Sequence, residues 1–155
     1  MTEKEWRKEL LSAMALDKRG KHDEAISSLK RVLKQIRTTY SLDFSYEQDA
    51  LSLIGMIYEH KGDLKRAAEF YLKAAKEHDG WLKYHTHAAA YRLAMAAVCQ
   101  FKSGNPAKGA ALGKQALRLA KLDIDPSPIF EELLTHLRDS YEKQALKKRK
   151  RNRGG

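Results

Sequence analysis

Residues 51–74 read LSLIGMIYEHKGDLKRAAEFYLKA, and this stretch decides the fold. Leu51, Ile54 and Tyr58 recur at helical spacing, with the small Gly55 set among them. Lys61, Gly62 and Asp63 then break the pattern. A cation, a glycine and a capping aspartate are the signals that end one helix and start another. Ala67, Phe70, Tyr71, Ala74 and Ala75 form the apolar stripe of the second helix. The stretch therefore predicts two antiparallel helices joined by a tight turn. Gly55 and Ala67 let the two approach closely, and Tyr58 and Tyr71 fill the space around them.

The turn recurs along the chain. Gly20, Gly62 and Gly104 stand 42 residues apart, each between two apolar helical stretches. A fixed period of this size marks a stacked repeat architecture. In the first unit Thr2 and Glu5 form a capping box, and Trp6, Leu10, Ala13, Met14 and Leu16 follow at helical spacing. Its second helix starts near Asp23, carries Ile26, Leu29, Val32, Leu33 and Ile36, and runs to about Tyr40. Ser45 and Gln48 read as another capping box, and Asp79-Gly80 ends the second unit. The third unit begins near Trp81 with a helix to about Phe101, followed by Gly104, a capping Asn105 and Pro106 at the first helical position. Its second helix contains Gly109 and Gly113, which either weaken it or let it pack unusually tightly. Asp125-Pro126-Ser127-Pro128 is a stop and restart, with Ser127 as cap. The seventh helix places Ile129, Phe130, Leu133, Leu134, Leu137 and Tyr141 on one side, as a helix closing a stack requires.

The expected fold class is all-α: three antiparallel helix pairs with a seventh capping helix. The units span about 2–42, 45–80 and 81–122, the capping helix about 127–146, and these make one domain, 1–146. A basic tail, 147–155, is expected to be disordered.

Composition bounds the function. The 155 residues suffice for one sizeable core, with 43% hydrophobic and 32% charged residues. The single cysteine, Cys99, excludes an internal disulfide framework and suits a reducing compartment. The charged N-terminus has no signal core, and no window matches a membrane span, so the reading is cytoplasmic, or nuclear in a eukaryote. Net charge is +10, and Lys147, Lys148, Arg149, Lys150, Arg151 and Arg153 supply much of it.

The second unit resembles a tetratricopeptide repeat. Leu51, Ile54, Gly55 and Tyr58 match the pattern of that family's first helix. Gly62, Ala67, Tyr71 and Ala74 match its turn and second helix, and Asp79 replaces its final proline. The first unit follows more loosely with Ala13, Gly20, Ala25, Leu29 and Val32, Leu16 standing where the tyrosine would be. The third keeps Ala97, Gly104 and Ala116, with Gln100 at the tyrosine position. The usual period is about 34 residues, so eight more, about two helical turns, should lengthen one helix per unit.

The resemblance implies a right-handed superhelix whose first helices line a concave groove for a protein segment. It places Leu10 and Met14, then Leu53 and Met56, then Tyr91, Met95, Val98 and Lys102 in that groove. Arg7, Asp17, Lys18, Asp49, Ser52, Glu59, His60, Ala94 and Phe101 fall on the same lining. Three methionines suit an adaptable apolar surface for a peptide or amphipathic helix. The clamp that some members use for a chaperone's terminal carboxylate is missing, because Leu10, Met14, Leu53 and Met95 hold those positions. The expected role is a non-enzymatic protein-binding adaptor with no cofactor, no metal and no membrane partner, and self-association open. The alternative is nucleic-acid or ribosome contact through the six basic residues, without base stacking, since no aromatic residue interleaves with them.

Other clusters carry no chemistry. His85 and His87 point to different sides of a helix, and His78 brings no cysteine or carboxylate ligand set. Glu131 and Glu132 favour a helix N-terminus, and no phosphate loop or nucleophile elbow occurs.

Overall fold

A computed structural model describes residues 1–38, 45–76, 82–120 and 127–153, with the side chains of 82–86 left out. The expected ends of the second and fourth helices near Tyr40 and Asp79-Gly80 lie outside the described residues. So do Trp81, His78, the Asp125-Pro126 stop and the side chain of His85. Among the described residues there are seven α-helices and no strand. They are α1 (Glu3–Lys18), α2 (His22–Thr38), α3 (Ser45–His60), α4 (Leu64–Ala75), α5 (Leu82–Lys102), α6 (Pro106–Ala120) and α7 (Pro128–Arg153). Consecutive helices pack within two compact units, Met1–Lys76 and Glu77–Gly155, as in a tetratricopeptide-like helical solenoid.

The three hairpin turns are built identically. Gly20, Gly62 and Gly104 have φ of 75°, 78° and 84°, the left-handed region that a side chain rarely adopts. The glycine N–H groups donate to Asp17, Glu59 and Phe101 carbonyls. The next N–H, of Lys21, Asp63 or Asn105, donates to Leu16, Tyr58 or Gln100 at 2.9 Å. This paired pattern is the Schellman motif, which satisfies the last carbonyls of the helix. Its acceptors keep the 42-residue spacing of the glycines. Asp63 Oδ1 then caps α4 by accepting from the Arg66 N–H.

In the first unit α2 packs on both α1 and α3, and α3 on α4. Thr2 and Glu5 make the expected capping box at α1. Hydrogen bonds from the Thr2 backbone and side chain hold the Glu5 carboxyl below its ordinary range. The core gathers Leu29, Val32, Ile54, Ile57 and Tyr71, all fully buried. Gly55 lies directly beneath the Tyr71 ring, and the Tyr71 hydroxyl donates to Glu59 at 2.9 Å. Trp6 meets Tyr46 edge-on at 5.6 Å, joining α1 to α3. Lys61 donates to Asp23, and that bond together with the Lys61 charge holds the Asp23 carboxyl below its ordinary range.

In the second unit α5 packs against α6, and α7 lies on both. Small residues make this possible: Ala90, Ala94, Ala97 and Ala116 are fully buried beside Val98, Phe130, Leu133 and Leu137. A Cβ on Gly109 would meet the Phe101 ring at 2.8 Å, and one on Gly113 would meet Leu133 Cδ1 at 2.9 Å. The two helix-interior glycines therefore serve tight packing, which resolves the alternative left by the sequence. Cys99 is buried, as a small core residue. Of the six paired helices only α5, at 21 residues, stands out in length, the others having 12–17.

Two expectations are corrected in α7. The helix does not stop at 146 but runs to Arg153, through the basic run assigned to a disordered tail. No glycine or proline interrupts residues 129–153, and lysine, arginine, alanine and leucine are good helix formers. Cations also suit the last turns of a helix. Leu134 and Tyr141 are 48% and 53% exposed. Leu134 lies at the margin of the Phe130–Leu133–Leu137 stripe, and from Tyr141 onward every described residue is exposed. Ser127 is not a side-chain cap: its Oγ is buried without a hydrogen bond among the described residues, and its carbonyl accepts from Phe130 and Glu131 instead.

Candidate functional site

The first unit presents a face formed by α1 and α3. Leu10 and Met14 are one turn apart on α1, and both are half-buried, as is Met56 on α3. Half-burial leaves each with apolar surface in water. Leu53 does not share this exposure. It is 8% exposed, because α3 is flanked by helices on most of its circumference. It supports the face from beneath rather than lining it.

A polar cluster closes one end of this face. Asp17, in the last turn of α1, is only 6% exposed. Its Oδ1 accepts from His22 Nδ1 at 2.7 Å, and its Oδ2 accepts from His60 Nδ1 at 2.7 Å. One carboxylate thus joins the start of α2 to the end of α3. Satisfying both oxygens offsets the cost of burying the charge. At the other end Arg7 pairs with Glu3 at 2.7 Å, both exposed. Asp17 and His60 were placed by resemblance on the groove lining, whereas here they engage one another. His22 was not singled out at all. The signal was an aspartate in the last turn of a helix, where the dipole disfavours it.

The second unit holds the other four predicted residues. Tyr91 is 40% exposed and Met95 half-buried on α5. Val98 is 1% exposed and belongs to the core of α5, α6 and α7, so its assignment to a binding surface is corrected. It shares the helix face of Ala90, Ala94 and Ala97, the one that packs inward. Lys102 is exposed but engaged, with Nζ 2.8 Å from Glu132 of α7. Beside it Phe101 stacks on His136 at 5.1 Å with the rings 7° apart. The end of α5 is therefore occupied by α7. Lys147, Lys148, Arg149, Lys150, Arg151 and Arg153 are all exposed on the last turns of α7. His87 is exposed as well.

Residues 9–35 and residues 48–77 each match the tetratricopeptide repeat family. The two matched stretches are the α1–α2 and α3–α4 hairpins, the two whose turns carry Gly20 and Gly62. The chain carries tetratricopeptide repeats. No curated protein is similar enough to the chain to count as a match. Tetratricopeptide repeats generally mediate protein–protein interaction, which supports an adaptor role for this chain. Among the described residues no helix is long and apolar enough to cross a membrane.

Proposed function

We propose that this tetratricopeptide repeat protein is a non-enzymatic adaptor that holds a peptide or amphipathic helix of a partner on the α1–α3 face. The observation that carries the reading is the partial exposure of Leu10, Met14 and Met56 on adjacent helices. Unbranched methionine side chains adapt to different apolar partners. A helix laid on such a face would anchor through apolar residues at helical spacing. The α5–α6 hairpin is read as a third repeat, with Tyr91 and Met95 as the partner-contact residues of its own unit.

The test uses a peptide selected from a displayed library on the full chain at high ionic strength, which suppresses charge-driven binding. Met14→Glu with Met56→Glu is expected to weaken that peptide about tenfold or more, since each buried anchor contributes on the order of 1–2 kcal/mol. Affinity unchanged within about twofold would sink the reading.

A second reading rests on the continuity of α7 through the basic run. Six cations on one exposed helical segment suit the phosphates of a nucleic acid. Truncation after Gln144 is expected to abolish retention on RNA at moderate salt. With all six cations engaged, log K should fall against log salt with a slope of about −4 to −5. Retention that survives the truncation contradicts this reading.

A further inference from the structure

The first unit carries a second surface, away from the methionines. A groove of about 510 Å³ lies between α2 and α4. Leu33 of α2, Leu51 of α3 and Phe70 of α4 form its apolar floor. Leu33 and Leu51 are 6% exposed, so the floor is fixed by the core itself. The rim is basic: Lys30, Lys34 and Arg37 from α2 face Lys73 from α4. None of the lining side chains is acidic.

The rim is also preorganised. Lys73 Nζ stands 4.7 Å from the centre of the Phe70 ring and Lys30 Nζ 5.9 Å from it. Cation–π attraction of this kind holds the ammonium groups beside the floor. Arg37 is held by Glu47 at 2.6 Å, which offsets its charge and fixes that corner. Lys30, Lys34 and Lys73 therefore leave an excess of positive charge around an apolar floor.

We propose that this groove docks an acidic peptide segment of a protein partner, in which carboxylates flank an apolar anchor. The anchor would lie over the nearly buried Leu33 and Leu51 and remove the remaining exposed surface of the half-buried Phe70 from water. The flanking carboxylates would take Lys30, Lys34 and Lys73 as charge-assisted partners. Charge complementarity of this kind sets specificity and association rate. A nucleic acid fits less well. Its phosphates would take the lysines but leave the apolar floor of Leu33, Leu51 and Phe70 unmatched. The site is independent of the methionine face, and either can fail without the other.

The experiment measures anisotropy of a fluorescein-labelled peptide in which glutamates flank a central Leu-Phe pair, added to the full chain. Lys34→Glu with Lys73→Glu is expected to weaken binding about tenfold or more. Lys148→Glu with Arg151→Glu makes the same change in net charge on α7, and is expected to weaken it by less than about threefold. Lys34→Gln with Lys73→Gln should fall between. Both lysines are exposed, so melting curves are expected to match the unmodified chain. Absence of peptide binding overturns the proposal, as does equal loss in the two glutamate pairs. Oligouridylate held more tightly than the peptide through Lys34 and Lys73 would assign the groove to nucleic acid and overturn it too. Self-association abolished by Lys34→Glu with Lys73→Glu would assign it to a second copy, with the same consequence.

Discussion

Replacing Gly55 by valine is expected to destabilise the first unit by about 3 kcal/mol, at the upper end of ordinary overpacking losses. A Cβ at this position would lie 2.9 Å from Tyr71 Cδ1, 3.0 Å from Cε1 and 3.2 Å from Cγ. The ring cannot swing away cheaply. It is fully buried, and its hydroxyl is tied to Glu59. Alanine would regain about 1 kcal/mol of helix propensity against part of the same clash, so Gly55→Ala should lose clearly less. Thermal melting followed by circular dichroism distinguishes them. The valine variant should melt on the order of 10 °C lower, and a shift within about 2 °C would contradict the close approach of α3 and α4.

Replacing Leu133 by alanine is the corresponding test of the second unit. Leu133 is fully buried between Phe130 and Leu137, with Cδ1 in the space that Gly113 leaves open. Loss of its side chain should cost about 3 kcal/mol, within the usual range for a buried leucine. Leu134, its neighbour, is 48% exposed, so Leu134→Ala should stay within about 0.5 kcal/mol. Hydrogen exchange gives a local reading. Amides of residues 130–140 should lose protection in the Leu133 variant and keep it in the Leu134 variant.

The turns were the most legible part of the chain, because a positive φ demands glycine and leaves a mark in the sequence. Gly20, Gly62 and Gly104 show that mark at constant spacing, and the structure gives all three the same backbone bonds. Gly55 was legible for a similar reason, as a small residue between large ones. The binding face was less so. Transferring lining positions by resemblance treats every first helix as having one register and one exposed side. Leu53 and Val98 break that assumption, since α3 and α5 are surrounded on most of their circumference.

The basic run was misread because composition alone does not separate a charged helix from a charged coil. Continuity with Leu133, Leu137 and the absence of a breaker before Gly154 are what carry α7 onward. The Asp17 cluster and the α2–α4 groove were not legible at all. Each joins residues from three helices, such as Asp17, His22 and His60, and no local pattern records that juxtaposition. Lys30, Lys34 and Arg37 do stand on one side of α2, but only the placement of α4 brings Phe70 and Lys73 to them.

The central claim is that the chain engages a partner through the α1–α3 face. Methyl-labelled methionine spectra of the full chain, recorded while the library-selected peptide is added, test it most directly. The chain has four methionines, so each methyl signal can be assigned by single substitution. The Met14 and Met56 signals are expected to shift together and saturate with the peptide, while Met1 stays in place. Saturable peptide binding that leaves both the Met14 and Met56 signals unmoved would contradict the claim.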